Sequence, residues 1–202
     1  MTQPSNDQTL DDAALDLIFR DARTYNGWHD KDVSVEQVHA IYELLKMGPT
    51  SANMQPARLV WCKSQESRDK LAQFASEGNV EKIKTAPVVV IIGYDIDFHE
   101  ELPWLFPHTD AKSWFEGDEE GRKEGAKRNS ALQGAYLMIA ARALGLDCGP
   151  MSGVDLDKVT EAFFADEPRH RADWICAIGY GDRSTIFERS PRPDFETFNR
   201  ID

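Results

Sequence analysis

The chain has 202 residues and a mass of 22.8 kDa, enough for one globular domain with a sizeable core. Hydrophobic residues at 41% and charged residues at 29% exclude a disordered chain. A net charge of −12 opposes sequence-independent nucleic-acid binding, which needs a basic surface, and no apolar run is long enough to cross a bilayer.

The N-terminal stretch, Met1 to Asp12, is polar and acidic, with neither a basic n-region nor an apolar h-region. It reads as a lead-in to the first helix and not as a signal peptide, so the expected compartment is the cytoplasm. From Asp12 to Arg20, Leu15, Ile18 and Phe19 fall at helical spacing. The segment from Ser34 to Lys46 carries a capping box (Ser34 with Gln37) and an apolar stripe, and Gly48-Pro49 ends it. Arg58 to Cys62 reads as a short strand, Gln65 to Ala75 and Val80 to Lys84 as helices. Pro87 to Gly93 has the continuous apolar run of a strand buried on both faces.

Asp95 to Lys127 differs in kind. It mixes Phe98, Trp104, Phe106, Trp114 and Phe115 with many charges and shows no sustained period. Long irregular segments in compact domains are usually functional, so an excursion or lid over a site is expected, against the alternative of a surface helix pair with aromatics tucked inward. Helix returns from Asn129 to Leu144, with Gly145 at the C′ position. Asp155 caps a helix to Phe164, Trp174 to Tyr180 is a strand, and the tail after Gly181 is extended and proline-bearing. Helices and strands do not alternate regularly. The expected class is therefore α+β, a mostly antiparallel sheet flanked by helices in a single domain over residues 1–202, with no doubly wound parallel core.

Cys62, Cys148 and Cys176 lie far apart in apolar neighbourhoods and read as buried reduced thiols; no metal-ligand spacing is present. The chain has no GxGxxG, GxxxxGK[ST], GxSxG or HExxH pattern. A nicotinamide cofactor, if used, is not held on a Rossmann fingerprint. The informative stretch is Gly48-Pro49-Thr50-Ser51-Ala52-Asn53-Met54-Gln55-Pro56, where hydroxyl and amide side chains cluster between a helix and a strand. Taken alone, it is a turn rich in turn-formers.

Its company changes that reading. Ala22-Arg23-Thr24, Asn79-Val80-Glu81-Lys82, Gly149-Pro150-Met151-Ser152-Gly153 and Arg192-Pro193 follow in order along the chain. With these motifs, from about Asp16 to Phe198, the sequence resembles the nitroreductase family of FMN flavoproteins. DARTYNGW, GPTSANMQPAR, the LFPH and SWF of the aromatic segment and GLDCGPMSG are similar to the branch containing malonic semialdehyde (3-oxopropanoate) reductase.

The resemblance implies an FMN-dependent nitroreductase-like fold in an intertwined homodimer. It implies that Arg23, Thr24 and Arg192 hold the FMN phosphate and ribityl chain, where a planar guanidinium suits a dianion. Asn79 and Lys82 would meet the pyrimidine edge, the cation stabilising charge that appears on reduction. Met151, Ser152 and Gly153 would present backbone N–H groups to flavin N5. Pro49, Thr50, Ser51 and Asn53, with Gln55 nearby, would reach the flavin of the other subunit. Asn26 and Ser190 stand where many relatives carry basic residues, which implies fewer charges on the phosphate, and Ser152 replaces a glutamate of some nitroreductases. No residue is expected to act as a dedicated catalytic acid. The implied cycle is ping-pong, with NADPH or NADH reducing the flavin and a small acceptor reoxidising it. Three readings follow: a 3-oxopropanoate reductase, a broad nitro- or quinone-reductase, and a flavin-binding carrier or sensor without turnover.

Overall fold

The computed structural model describes residues 8–202; the start of the expected lead-in, residues 1–7, lies outside them. The elements in chain order are α1 (Asp12–Leu15), a π turn (Asp16–Arg20), α2 (Val35–Leu45), β1 (Ala57–Cys62), α3 (Gln65–Ala72), α4 (Glu77–Thr85) and β2 (Val88–Asp95). They continue with α5 (Leu102–Leu105), α6 (Glu119–Ala143), β3 (Asp147–Met151), α7 (Leu156–Phe163), β4 (His170–Gly179) and α8 (Phe195–Phe198). The four strands form one sheet in the order β1-β2-β4-β3, with every pair antiparallel.

Local chemistry places several of these elements where the sequence puts them. Ser34 accepts from Gln37 N while the Gln37 side chain accepts from Ser34 N, closing the capping box of α2. Asp155 caps α7, and Gly145 takes φ +76° just past α6, a left-handed conformation that costs glycine little. β2 is buried along its whole length, as a central strand covered on both faces must be. One core joins α2 and α6 to the sheet through Ile41, Leu45, Leu137 and Val90. A second packs α3, α4 and α7 on the other face through Leu71, Ile83, Val159 and Ile175.

Two elements depart from expectation. The helix expected at Asn129 starts at Glu119, where the Asp118 side chain accepts from Gly121 N. Its first turns are exposed apart from a half-buried Arg122, so no apolar stripe marks them. The stretch after Gly145 is a strand, although it holds Gly149 and Pro150. Glycine and proline disfavour strands, but β3 is an edge strand, where proline is tolerated. The remaining excursion consists of short turns and α5 between Phe98 and Phe115.

Candidate active site

The free edge of β3 is partly covered by the segment after the π turn. Thr24 bridges Cys148 in parallel, and Tyr25 N donates to Cys148 O at 3.1 Å. A Cβ at Gly149 would stand 2.6 Å from Tyr25 O, so this close approach requires glycine. The C-terminal tail then returns over the same edge. Asn26 Nδ2 donates to Thr185 O at 3.1 Å, and Arg23 donates to Phe187 O. Arg189 donates to Arg20 O at 2.7 Å and Ala22 O at 3.1 Å.

These returns enclose a cavity of about 370 Å³ lined by Arg23, Thr24, Asn26, Arg142, Arg189 and Arg192, among others. Its lining holds four arginines and one acidic residue, Glu188. In a chain of net charge −12 this is a local positive site that attracts an anion. Arg23, Thr24 and Arg192, singled out in the sequence, meet here. Arg142 and Arg189 were not assigned there. Arg142 carried only the signal of a basic residue in the last turn of a helix, and nothing local marked Arg189.

Further along β3 a second group assembles. Asn79 Nδ2 donates to Gly153 O at 3.2 Å and Ser76 N to the same oxygen at 2.9 Å. Asn79 and Lys82 are one turn apart on α4, which aligns them on one face. Ser152 and Gly153 follow Met151 at the end of β3. A strand rises about 3.3 Å per residue, so the five steps from Cys148 to Gly153 separate the two groups by at most about 16 Å.

The loop from Pro49 to Gln55 is not part of this assembly. It feeds β1, at the opposite edge of the sheet, three strand spacings or about 14 Å from β3. There Ser51 N donates to Asn129 Oδ1 at 2.9 Å, Asn53 Nδ2 to Leu105 O at 2.8 Å, and Gln133 Nε2 to Gln55 Oε1 at 2.6 Å. Thr50 Oγ1 accepts from Gln55 N at 3.2 Å. Ala52, Asn53 and Gln55 all have positive φ, at 48°, 48° and 39°, a costly conformation for residues with a Cβ. Asn53, Gln55, Arg58, Glu101 and Trp104 line a groove of about 470 Å³.

The excursion is rooted beside this groove. Asp95 is fully buried and meets Arg58 Nη2 at 2.8 Å, Arg169 Nε at 3.3 Å and His170 Nε2 at 3.5 Å. Burial holds His170 below the usual histidine pKa, and Asp95 opposes that shift. Phe98 is fully buried with Phe115 packed edge-on at 5.0 Å, whereas Trp104 is 70% exposed. The aromatics thus divide between core and surface.

The three cysteines are buried and unpaired. Burial pushes the Cys62 thiol up to about 11, and Cys176 is also raised, first by its contact with Cys148 and then by burial. Neither favours a thiolate nucleophile.

Residues 19–181 match the model of the nitroreductase family. A protein of Stenotrophomonas maltophilia strain R551-3, named as an NADH dehydrogenase/NAD(P)H nitroreductase, is 56% identical over 95% of this chain and 97% of its own. One with the same name from Polynucleobacter asymbioticus is 53% identical over 95% and 97%. Among solved structures, a protein described as a nitroreductase, in complex with FMN, from Exiguobacterium sibiricum 255-15 superposes with TM-score 0.83 at 22% identity, over 96% of this chain and 99% of that one. The sheet, its flanking helices and the match over most of the chain agree: the protein belongs to the nitroreductase family.

Proposed function

We propose that the protein is an FMN-dependent NAD(P)H oxidoreductase whose two flavin sites are shared across a homodimer. The observation that carries this reading is the edge of β3, with a four-arginine cavity at one end and Asn79 with Lys82 at the other. An elongated mononucleotide with one anionic end fits that layout. Arg142 in the cavity lining, whose Nη1 reaches a backbone oxygen only at 3.4 Å, also fits an anionic ligand.

Hydride relay from a reduced nicotinamide to a second substrate is the chemistry that FMN supplies when bound. The chain's own residues position and tune it. Arg23, Arg189 and Arg192 would neutralise the phosphate, and the Thr24 hydroxyl would donate a hydrogen bond to it. Asn79 spends Nδ2 on Gly153 O and so offers Oδ1 as an acceptor to the pyrimidine edge. Lys82 sets a cation beside the same edge, where negative charge grows on reduction. Met151, Ser152 and Gly153 supply backbone groups at the inner edge of the ring.

The shared site follows from the two sheet edges. The Pro49–Gln55 loop is tied to α6 through Asn129 and Gln133 and cannot fold across to its own chain's β3. Beside it, Tyr42, Met47 and Leu132 are 48%, 74% and 49% exposed, and the Tyr136 ring lies against Gly48. A second copy burying this apolar patch would receive Thr50, Ser51 and Asn53 at its flavin and the exposed Trp104 nearby, so the excursion would act as a lid for the partner. Leu132→Glu should therefore yield monomers in sedimentation and release FMN together.

For the acceptor we propose 3-oxopropanoate, on the branch motifs of the aromatic segment and GLDCGPMSG. The second reading is a broad nitro- or quinone-reductase, and the word nitroreductase in the relatives' names favours its nitro half. Anaerobic reduction by NADPH and by NADH, followed by reoxidation with a small acceptor panel, separates them. Bleaching of the flavin and faster reoxidation by 3-oxopropanoate than by nitrofurazone is the expected result. Equal rates favour the second reading. A bound flavin that no nicotinamide bleaches leaves a carrier or sensor, and a chain that stays colourless with FMN sinks the flavin reading.

A further inference from the structure

The β3-edge cavity holds one cation that the chain itself leaves under-used. Arg142 stands in the last turn of α6. Among the described residues its buried Nε has no hydrogen-bond partner, and Nη1 reaches Ile18 O only at 3.4 Å, long for an N–H···O bond. The other three guanidiniums of the cavity are braced against backbone. Arg23 donates to Phe187 O, Arg189 to Arg20 O and Ala22 O, and Arg192 to Ser190 O at 2.9 Å and Pro191 O at 3.2 Å. The Arg23 and Arg189 contacts anchor the tail to the segment after the π turn, and those of Arg192 lie within the tail. Asp147, the carboxylate that Arg142 influences electrostatically, is occupied by Gly181 N at 3.0 Å.

A guanidinium nitrogen buried without an acceptor costs free energy, and the partly buried Arg142 head can recover some of it by donating from its other nitrogens. Arg142 lines the anion cavity on one side and, on the other, a second cavity with Tyr25 and Asp147. An anion in the first would accept from the terminal nitrogens, of which Nη1 has only the long contact to Ile18 O. We infer that Arg142 is a phosphate ligand of the cavity, donating from its terminal nitrogens to the anionic end of the bound mononucleotide. This rests on the flavin reading above. It makes a helix-borne side chain the cation of the phosphate site that does not depend on how the tail is seated.

Comparing FMN with riboflavin, which lacks the phosphate, isolates the contact. Both are titrated by flavin fluorescence quenching into the flavin-stripped full chain and into Arg142→Met, which keeps the apolar stem and removes every donor. FMN should weaken about 10- to 100-fold, the size of one charge-assisted contact, while riboflavin binding stays unchanged. Arg142→Lys should recover part of the loss, and high salt should narrow the difference. Equal weakening of both flavins, or of neither, in Arg142→Met and Arg142→Lys alike overturns the inference and makes the residue a structural clamp. If the unmodified chain itself holds FMN no tighter than riboflavin, the phosphate reading of the whole cavity fails, and this inference fails with it.

Discussion

At the β3 edge, arginines from three distant stretches of chain ring a cavity, and one of them keeps a buried donor unsatisfied. At the β1 edge the polar groups of the Thr50–Gln55 loop find partners on α5 and α6, while three of its residues hold left-handed backbone. The first region is complete in shape and incomplete in charge. The second is complete in hydrogen bonding and incomplete in burial, with Tyr42, Met47 and Trp104 exposed beside it. Unsatisfied donors call for a small anion, whereas satisfied but strained loops beside apolar surface call for another protein surface. The contrast is the physical basis for proposing a site shared between two copies of the chain.

The largest effect is expected at the root of the excursion. Asp95→Ala leaves Arg58 and Arg169 without their buried counter-ion. The expected loss is about 3 kcal/mol of stability, at the low end for a broken buried pair because both arginines reach solvent. Urea denaturation measures it, and a change below about 1 kcal/mol would make the cluster a surface ornament. At the other edge, Arg23→Ala or Arg192→Ala should weaken FMN retention by about 1.5 to 3 kcal/mol, read by equilibrium titration. Unchanged affinity in both refutes the phosphate assignment.

Gly149→Ala tests whether the close approach of Tyr25 to β3 builds the cavity. The added methyl would meet Tyr25 O and should cost about 1 to 3 kcal/mol in thermal unfolding, with FMN affinity falling alongside. Stability lost without any change in FMN binding would separate the segment's packing from the site. The smallest effect is expected at Ala52→Gly. Relief of the left-handed backbone, about 1–2 kcal/mol, is largely offset by glycine's extra freedom when unfolded, about 0.5–1 kcal/mol. A net gain below about 1 kcal/mol sharpens the view of the loop as strained, and a loss argues that the Ala52 methyl packs usefully.

Much of this molecule is written in contiguous residues. The capping box at Ser34, the Asp155 cap, the apolar run of β2 and Gly145 each specify a local conformation from neighbours a few residues apart. Propensity and period act over that range, and the ordered motifs carried the family resemblance. Other features needed the tertiary structure. The exposed start of α6 shows no apolar period, and β3 forms through glycine and proline because β4 on one side and Thr24 on the other hold it. Arg142 and Arg189 join Arg23 only because α6 and the returning tail pack against one edge. Local sequence determines the capped helices and the central strand, whose energetics are short-ranged. The charge of the cavity, and the separation of the loop from it, were decided by packing between residues far apart in the chain.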